Sequence, residues 1–142
     1  MEENLTTYKT IDTHGKSQVE LILQVYDGAI GAFESARKGF GEGDNETGRA
    51  QIERARKFVT HLYSTLNPDE GGAIADNLAK IYSYIVNQTN VIEAVKDSQQ
   101  IDDMISILGN LREAWVAIKE DQESVSSTPA AGTPMNTFSI DG

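Results

Sequence analysis

The stretch that decides the fold is residues 17–40, SQVELILQVYDGAIGAFESARKGF. Ser17 and Glu20 form a capping box, in which each side chain bonds the other's backbone N–H at the start of a helix. Further along, apolar residues recur at alternating steps of three and four, the spacing of one buried helix face. They are Val19, Ile22, Tyr26, Ala29, Phe33, Ala36 and Phe40. The stretch predicts a long amphipathic helix over about residues 17–40.

Three more segments carry the same spacing, over about residues 45–66, 73–92 and 98–123. Short polar connections separate the segments, the first two of them with glycine or proline, and no segment shows the sustained alternation of a strand. Four amphipathic helices with short connections are typical of an antiparallel four-helix bundle. We therefore predict an all-α fold, an antiparallel four-helix bundle over residues 17–123.

The residues on either side of the predicted bundle lack a helical period. Residues 1–16 mix polar residues with the isolated Leu5, Tyr8 and Ile11, which favours a mobile N-terminal arm. Residues 124–142 contain two prolines and almost no charge, which favours a disordered C-terminal tail.

The composition excludes several classes of function. The 142 residues carry a net charge of −10, which argues against nucleic-acid binding because phosphate contacts need clustered Lys and Arg. No apolar run approaches the ~20 residues of a membrane helix, so we expect no membrane insertion. The polar, acidic start is unlike a signal peptide and cysteine is absent, which favours a cytoplasmic location.

The sequence offers little for catalysis. His61 lacks the Glu-x-x-His context of a di-iron bundle, and there is no phosphate-binding loop or nucleophile elbow. We expect no catalytic residue, no metal site and no cofactor, and therefore no enzyme. A phosphotransfer bundle with His61 as phosphoacceptor is the weaker alternative.

The first helix has a wider apolar arc than its neighbours in a small bundle require. At 100° per residue, Leu23 and Ile30 extend the main stripe on one flank and four apolar or small residues extend it on the other, to roughly 200° or more in all. The four are Leu21, Val25, Gly28 and Ala32. Either this helix is central, with another helix on each side, or the flank is a groove for a partner helix. In the groove interpretation, the small Gly28 and Ala32 would allow a close approach.

Three stretches and one pair together resemble the FliS family of flagellin export chaperones. They are LILQVYDGAIGAFESARKGFGEGD at 21–44, EGGAIADNLAKIYSYI at 70–85, LGNLREAWVAI at 108–118, and the spacing Leu5-x-x-Tyr8. Their order and spacing match the family across about residues 5–120.

The resemblance implies a cytosolic chaperone that binds the disordered C-terminal segment of flagellin. It would prevent premature polymerisation and help to deliver flagellin to the export-gate protein of the flagellar type III apparatus. It also implies two sets of site residues. The flagellin-binding groove would comprise Leu21, Val25, Gly28, Ala32, Tyr82 and Val86, and the arm residues Leu5, Tyr8 and Ile11 would contact the export gate.

We expect the protein to be a monomer or a weak homodimer, without a cofactor. One departure concerns residues 87–88, where Asn87 and Gln88 stand in place of a basic pair that the family often carries. A helical adaptor for another export substrate is the alternative within the same class of binding proteins.

Overall fold

The computed structural model describes residues 17–66 and 68–127, except for the side chains of residues 68–70 and 124–127. The described residues form four α-helices and no strand. They are α1 (Gln18–Gly41), α2 (Asn45–Ser64), α3 (Pro68–Val95) and α4 (Ser98–Ser127). The predicted all-α four-helix bundle is therefore confirmed. The predicted arm, with Leu5, Tyr8 and Ile11, and residues 128–142 lie outside the described residues.

Side-chain caps start the first two helices, at Ser17 as the sequence predicts and also at Asp44. The Ser17 hydroxyl accepts a hydrogen bond from the Glu20 N–H at 3.2 Å, and the Glu20 carboxylate accepts one from the Ser17 N–H at 3.1 Å. At the start of α2, the Asp44 carboxylate accepts the Thr47 N–H at 3.1 Å. These bonds satisfy backbone donors that a helix start leaves unpaired.

Helix α3 is interrupted close to its start. Gly72 has φ 57° and ψ −130°, a conformation that suits glycine, so the regular part of the helix follows it. The helical spacing of Ile74, Leu78, Ile81 and Ile85 predicts one buried stripe along α3. Ile74 lies just after the kink and is nevertheless 72% exposed. The buried face of α3 instead begins at Ala75. At the other end, Lys96 has a left-handed φ of 62° and ends α3 before the short connection to α4.

Each helix packs beside its neighbours in chain order around the bundle. Helix α1 packs against α2 and α4, and α2 also packs against α3. Of the four neighbouring pairs, α3 and α4 are in the least contact. The core is apolar and drawn from all four helices, with Phe33, Ile52, Val59, Ile85, Ile92, Ile101 and Leu108 fully buried.

The two glycines of α1 that are three residues apart have different surroundings. A Cβ built on Gly28 would lie 2.5 Å from the ring of Phe58 in α2. A Cβ built on Gly31 would meet nothing within 4 Å. Of the two glycines, only Gly28 is in close contact with another helix.

Replacing Gly31 by alanine should raise the free energy of unfolding by about 0.5–1 kcal/mol, because alanine loses less backbone entropy in a helix. Gly109 in α4 also has open space around its Cβ position, so Gly109→Ala should act in the same direction. Urea unfolding followed by circular dichroism measures both changes. A lower unfolding midpoint for Gly31→Ala would show a contact at this position that the structure lacks.

Candidate partner-binding surface

The predicted groove residues of α1 lie on the flank that faces α2. Leu21, Val25, Gly28 and Ala32 share a sector of about 60° on the helix. Gly28 identifies the neighbour of this sector, because its missing side chain leaves room for Phe58. Ala32 has no exposed surface, whereas Leu21 and Val25 are half-buried.

Of the two interpretations of the wide apolar arc, the structure agrees with the first: α1 has another helix on each side, α2 on one flank and α4 on the other. The close approach suggested by the small residues is made by α2 of the same chain. Whether these residues also contact a partner stays a prediction.

The predicted α3 residues do not lie on an open surface either. Tyr82 is 1% exposed and points into the core. Val86 is half-buried, about 20° around the helix from Glu93, so both are on the side of α3 that faces α2. Arg56 of α2 forms an ion pair with Glu93 at 2.9 Å, and its Nε donates to the buried Thr89 hydroxyl at 2.8 Å. The α2/α3 interface is closed by these polar contacts as well as by apolar packing.

A hydrogen-bonded group links three helices at the centre of the bundle. The Trp115 indole N–H of α4 donates to the Tyr26 hydroxyl of α1 at 3.1 Å. The hydroxyls of Tyr26 and Tyr82 are hydrogen-bonded to each other, with their ring centroids 6.4 Å apart. Burial raises the pKa of Tyr26 above its ordinary value, and the bonds from Tyr82 and Trp115 oppose that rise. The group connects α3 and α4 through α1.

The raised pKa of Tyr26 predicts a loss of stability at high pH. The unfolded chain releases this proton near pH 10 while the folded chain retains it, so stability should fall as pH rises above about 10. In Tyr26→Phe this fall should be smaller. Tyr63→Phe is the matched control, because Tyr63 is 48% exposed. Thermal unfolding between pH 8 and 11 tests the prediction, and identical pH profiles for the two variants would contradict it.

The flank of α3 turned away from α2 carries an exposed apolar stripe. Tyr84, Val91 and Val95 are 48%, 39% and 60% exposed. Their positions fall within about 40° on the helix and lie well away from Thr89 and Glu93, which contact α2. The stripe is therefore on the side of α3 opposite to α2.

Helix α4 presents a matching stripe. Ile107 and Leu111 are half-buried and Ile118 is 42% exposed, all within a sector of about 40°. The opposite flank of α4 is held to α1 by ion pairs, Asp27 with Arg112 at 2.6 Å and Glu20 with Lys119 at 3.6 Å.

We call these two stripes the α3/α4 seam, with residues Tyr84, Val91, Val95, Ile107, Leu111 and Ile118. Because α3 and α4 are in little direct contact, the seam leaves apolar surface open along the bundle. Contiguous exposed apolar surface is typical of partner-binding sites. The sequence contained the signal for it, since Tyr84, Val91 and Val95 share one sector beside the main stripe of α3.

The described residues offer no comparable chemical site. No group of three or more His, Asp or Glu side chains within residues 17–66 and 68–127 is placed to hold a metal ion. His61 is exposed on the outer face of α2. None of the four described helices is both long and apolar enough to cross a membrane.

Comparison with known proteins identifies the family. The family described as "Flagellar protein FliS" matches residues 1–122. The chain belongs to the FliS family. The resemblance of the three motifs is thereby confirmed.

Three relatives named "Flagellar secretion chaperone FliS" show how far the similarity extends. The protein from Salmonella typhimurium is 30% identical over 100 residues, which cover 70% of this chain and 74% of that protein. The protein from Vibrio cholerae is 24% identical over 131 residues, covering 89% of this chain and 96% of the relative. The Campylobacter jejuni protein is 22% identical over 124 residues, covering 86% and 97%. The alignments to the Vibrio and Campylobacter proteins extend over nearly the whole length of those relatives.

Proposed function

We propose that this chain is a cytosolic flagellar export chaperone. It binds the disordered C-terminal segment of flagellin, prevents premature polymerisation and assists delivery to the export gate of the flagellar type III apparatus. The α3/α4 seam is the observation that carries the proposal, because it is an open apolar surface on a bundle of this family. It acts by binding alone, without a cofactor or a catalytic step.

The seam has the geometry to hold an amphipathic helix. Tyr84, Val91 and Val95 extend over about 16 Å, or three helical turns. Ile107, Leu111 and Ile118 cover a similar length of α4. Because α3 and α4 are antiparallel and are joined by residues 96–97, this stripe lies further from the connection and meets the α3 stripe near Tyr84 and Ile107. A disordered segment that folds into this gap would cover both stripes with apolar residues at helical spacing.

The proposed mode of binding fits the release that export requires. A segment that becomes ordered on binding loses conformational entropy, so a large apolar contact gives only moderate affinity. The buried Tyr82 and the half-buried Trp115 hold α3 and α4 to α1 through Tyr26. This link fixes the two helices that carry the seam relative to α1.

The other predicted residues have separate places in this proposal. Leu21, Val25, Gly28, Ala32 and Val86 support the seam indirectly by packing α2 against α1 and α3. The arm residues Leu5, Tyr8 and Ile11 remain the proposed contact with the export gate.

The direct test is complex formation with purified flagellin. We expect a one-to-one complex by size-exclusion chromatography with light scattering at micromolar concentrations. Flagellin that lacks its C-terminal segment is the control and should elute separately. Equal co-elution of both flagellins would place the binding elsewhere on flagellin, and no co-elution of either would favour an adaptor for another export substrate.

A further inference from the structure

Residues 128–142 begin at the end of the bundle where the seam opens. Lys119 of α4 pairs with Glu20 in the first turn of α1, so the last turns of α4 lie beside the start of α1. Only Lys96 and Asp97 connect α3 to α4, which makes these helices antiparallel and places the start of α3 at the same end. The exposed Ile74 and Ile118 lie there.

From this placement we propose that residues 128–142 dock on the α3/α4 seam of their own chain. Phe138 and Ile140 supply the apolar contacts. Residues two apart point to the same side of an extended segment, so these two side chains can enter the seam together. Pro129 and Pro134 disfavour a helix and favour the extended form.

The length of the segment is sufficient. Leu111 lies about 24 Å back along α4 from Ser127, at the helical rise of about 1.5 Å per residue. The roughly 11 residues from Thr128 to Phe138 span up to about 36 Å when extended. Phe138 therefore reaches the middle of the seam, at the level of Leu111.

Charge favours this segment over residues 1–16 as the occupant. Residues 128–142 contain one charged residue, Asp141. Residues 1–16 contain Glu2, Glu3, Lys9, Asp12 and Lys16. Placing such charges against an apolar surface costs free energy, whereas residues 128–140 carry none.

Docking has a consequence that rests on the proposed function. A segment on the seam competes with the partner for the same apolar residues, so the partner must displace it.

Disulfide formation in the full chain tests docking without any partner. The chain has no cysteine, so two can be placed at will. Asn136→Cys, whose side chain points to the same side of an extended segment as Phe138, is combined either with Ala114→Cys, an exposed position beside Leu111 on α4, or with Thr60→Cys, an exposed position on α2. Thr60 and Ala114 lie at about the same level along the bundle. Each is two residues from a side chain that contacts the same turn of α1: Phe58 of α2 packs on Gly28, and Arg112 of α4 pairs with Asp27. The two pairs therefore differ mainly in which face of the bundle is probed.

We expect the intramolecular disulfide to form at least about tenfold faster with Ala114→Cys than with Thr60→Cys, because docking raises the effective concentration at the seam. Adding Phe138→Asp should remove the difference. Equal rates for the two pairs would overturn the proposal. A disulfide-linked dimer as the main product would also overturn it, by assigning the seam to a second copy of the chain.

Discussion

Gly28→Leu is expected to lower the free energy of unfolding by about 3 kcal/mol, the upper part of the range for overpacked cores. Even the Cβ of the new side chain would lie 2.5 Å from the Phe58 ring, so α1 and α2 must separate or Phe58 must move. Urea unfolding monitored by circular dichroism at 222 nm, a wavelength that reports on helix, measures the loss.

Gly31→Leu is the matched control, since it makes the same change three residues further along the same helix. Its Cβ position is open, so this variant should be as stable as the starting protein or slightly more stable. Phe58→Ala should restore part of the stability lost in Gly28→Leu, because the two sites are in contact and their effects are not additive. Equal destabilisation by the two leucines would contradict the packing of Phe58 on Gly28.

Tyr84→Asp is expected to weaken the complex with the flagellin segment at least tenfold, about 1.4 kcal/mol or more in binding free energy. The substitution places a carboxylate in the middle of the seam, and burying it under the partner is costly. Isothermal titration calorimetry with the isolated segment measures the change.

Tyr63→Asp separates a seam effect from a general surface effect. Tyr63 and Tyr84 are both 48% exposed, but Tyr63 lies on α2, outside the seam. Both variants should unfold at similar urea concentrations, and only Tyr84→Asp should lose affinity. Equal losses in affinity would remove the seam as the binding site.

The sequence predicted the helices well because local signals determine them. The period of the apolar residues, the capping box at Ser17 and the cap at Asp44 depend on neighbouring residues alone, and the structure contains all of them. The family motifs could also be recognised from the sequence, since each of them is a continuous stretch of residues.

It was harder to predict which helix packs against each apolar flank. The wide arc of α1 showed that Leu21, Val25, Gly28 and Ala32 pack against something. Periodicity cannot tell a helix of the same chain from a partner helix, because both bury the same residues. Only the position of Phe58 over Gly28 identifies that neighbour as α2.

The seam shows the opposite case, in which a residue that the pattern predicts to be buried is exposed. In the sequence, Ile118 continues the helical spacing of Ile101, Met104, Leu108, Leu111 and Trp115, which predicts that Ile118 is a core residue. In the structure it is 42% exposed, because α3 and α4 are in little contact beside it. How closely two helices pack depends on long-range geometry, which a local pattern does not contain.

Methyl NMR of the complex is the most direct test of the central claim, that flagellin binds along the α3/α4 seam. Isoleucine, leucine and valine methyls occur on both candidate surfaces, Val91, Val95, Leu111 and Ile118 on the seam and Leu21 and Val25 on the α2-facing flank of α1. With the flagellin C-terminal segment bound, we expect intermolecular contacts to the four seam residues and none to Leu21 or Val25. Contacts to Leu21 and Val25, with the seam methyls unchanged, would contradict the account.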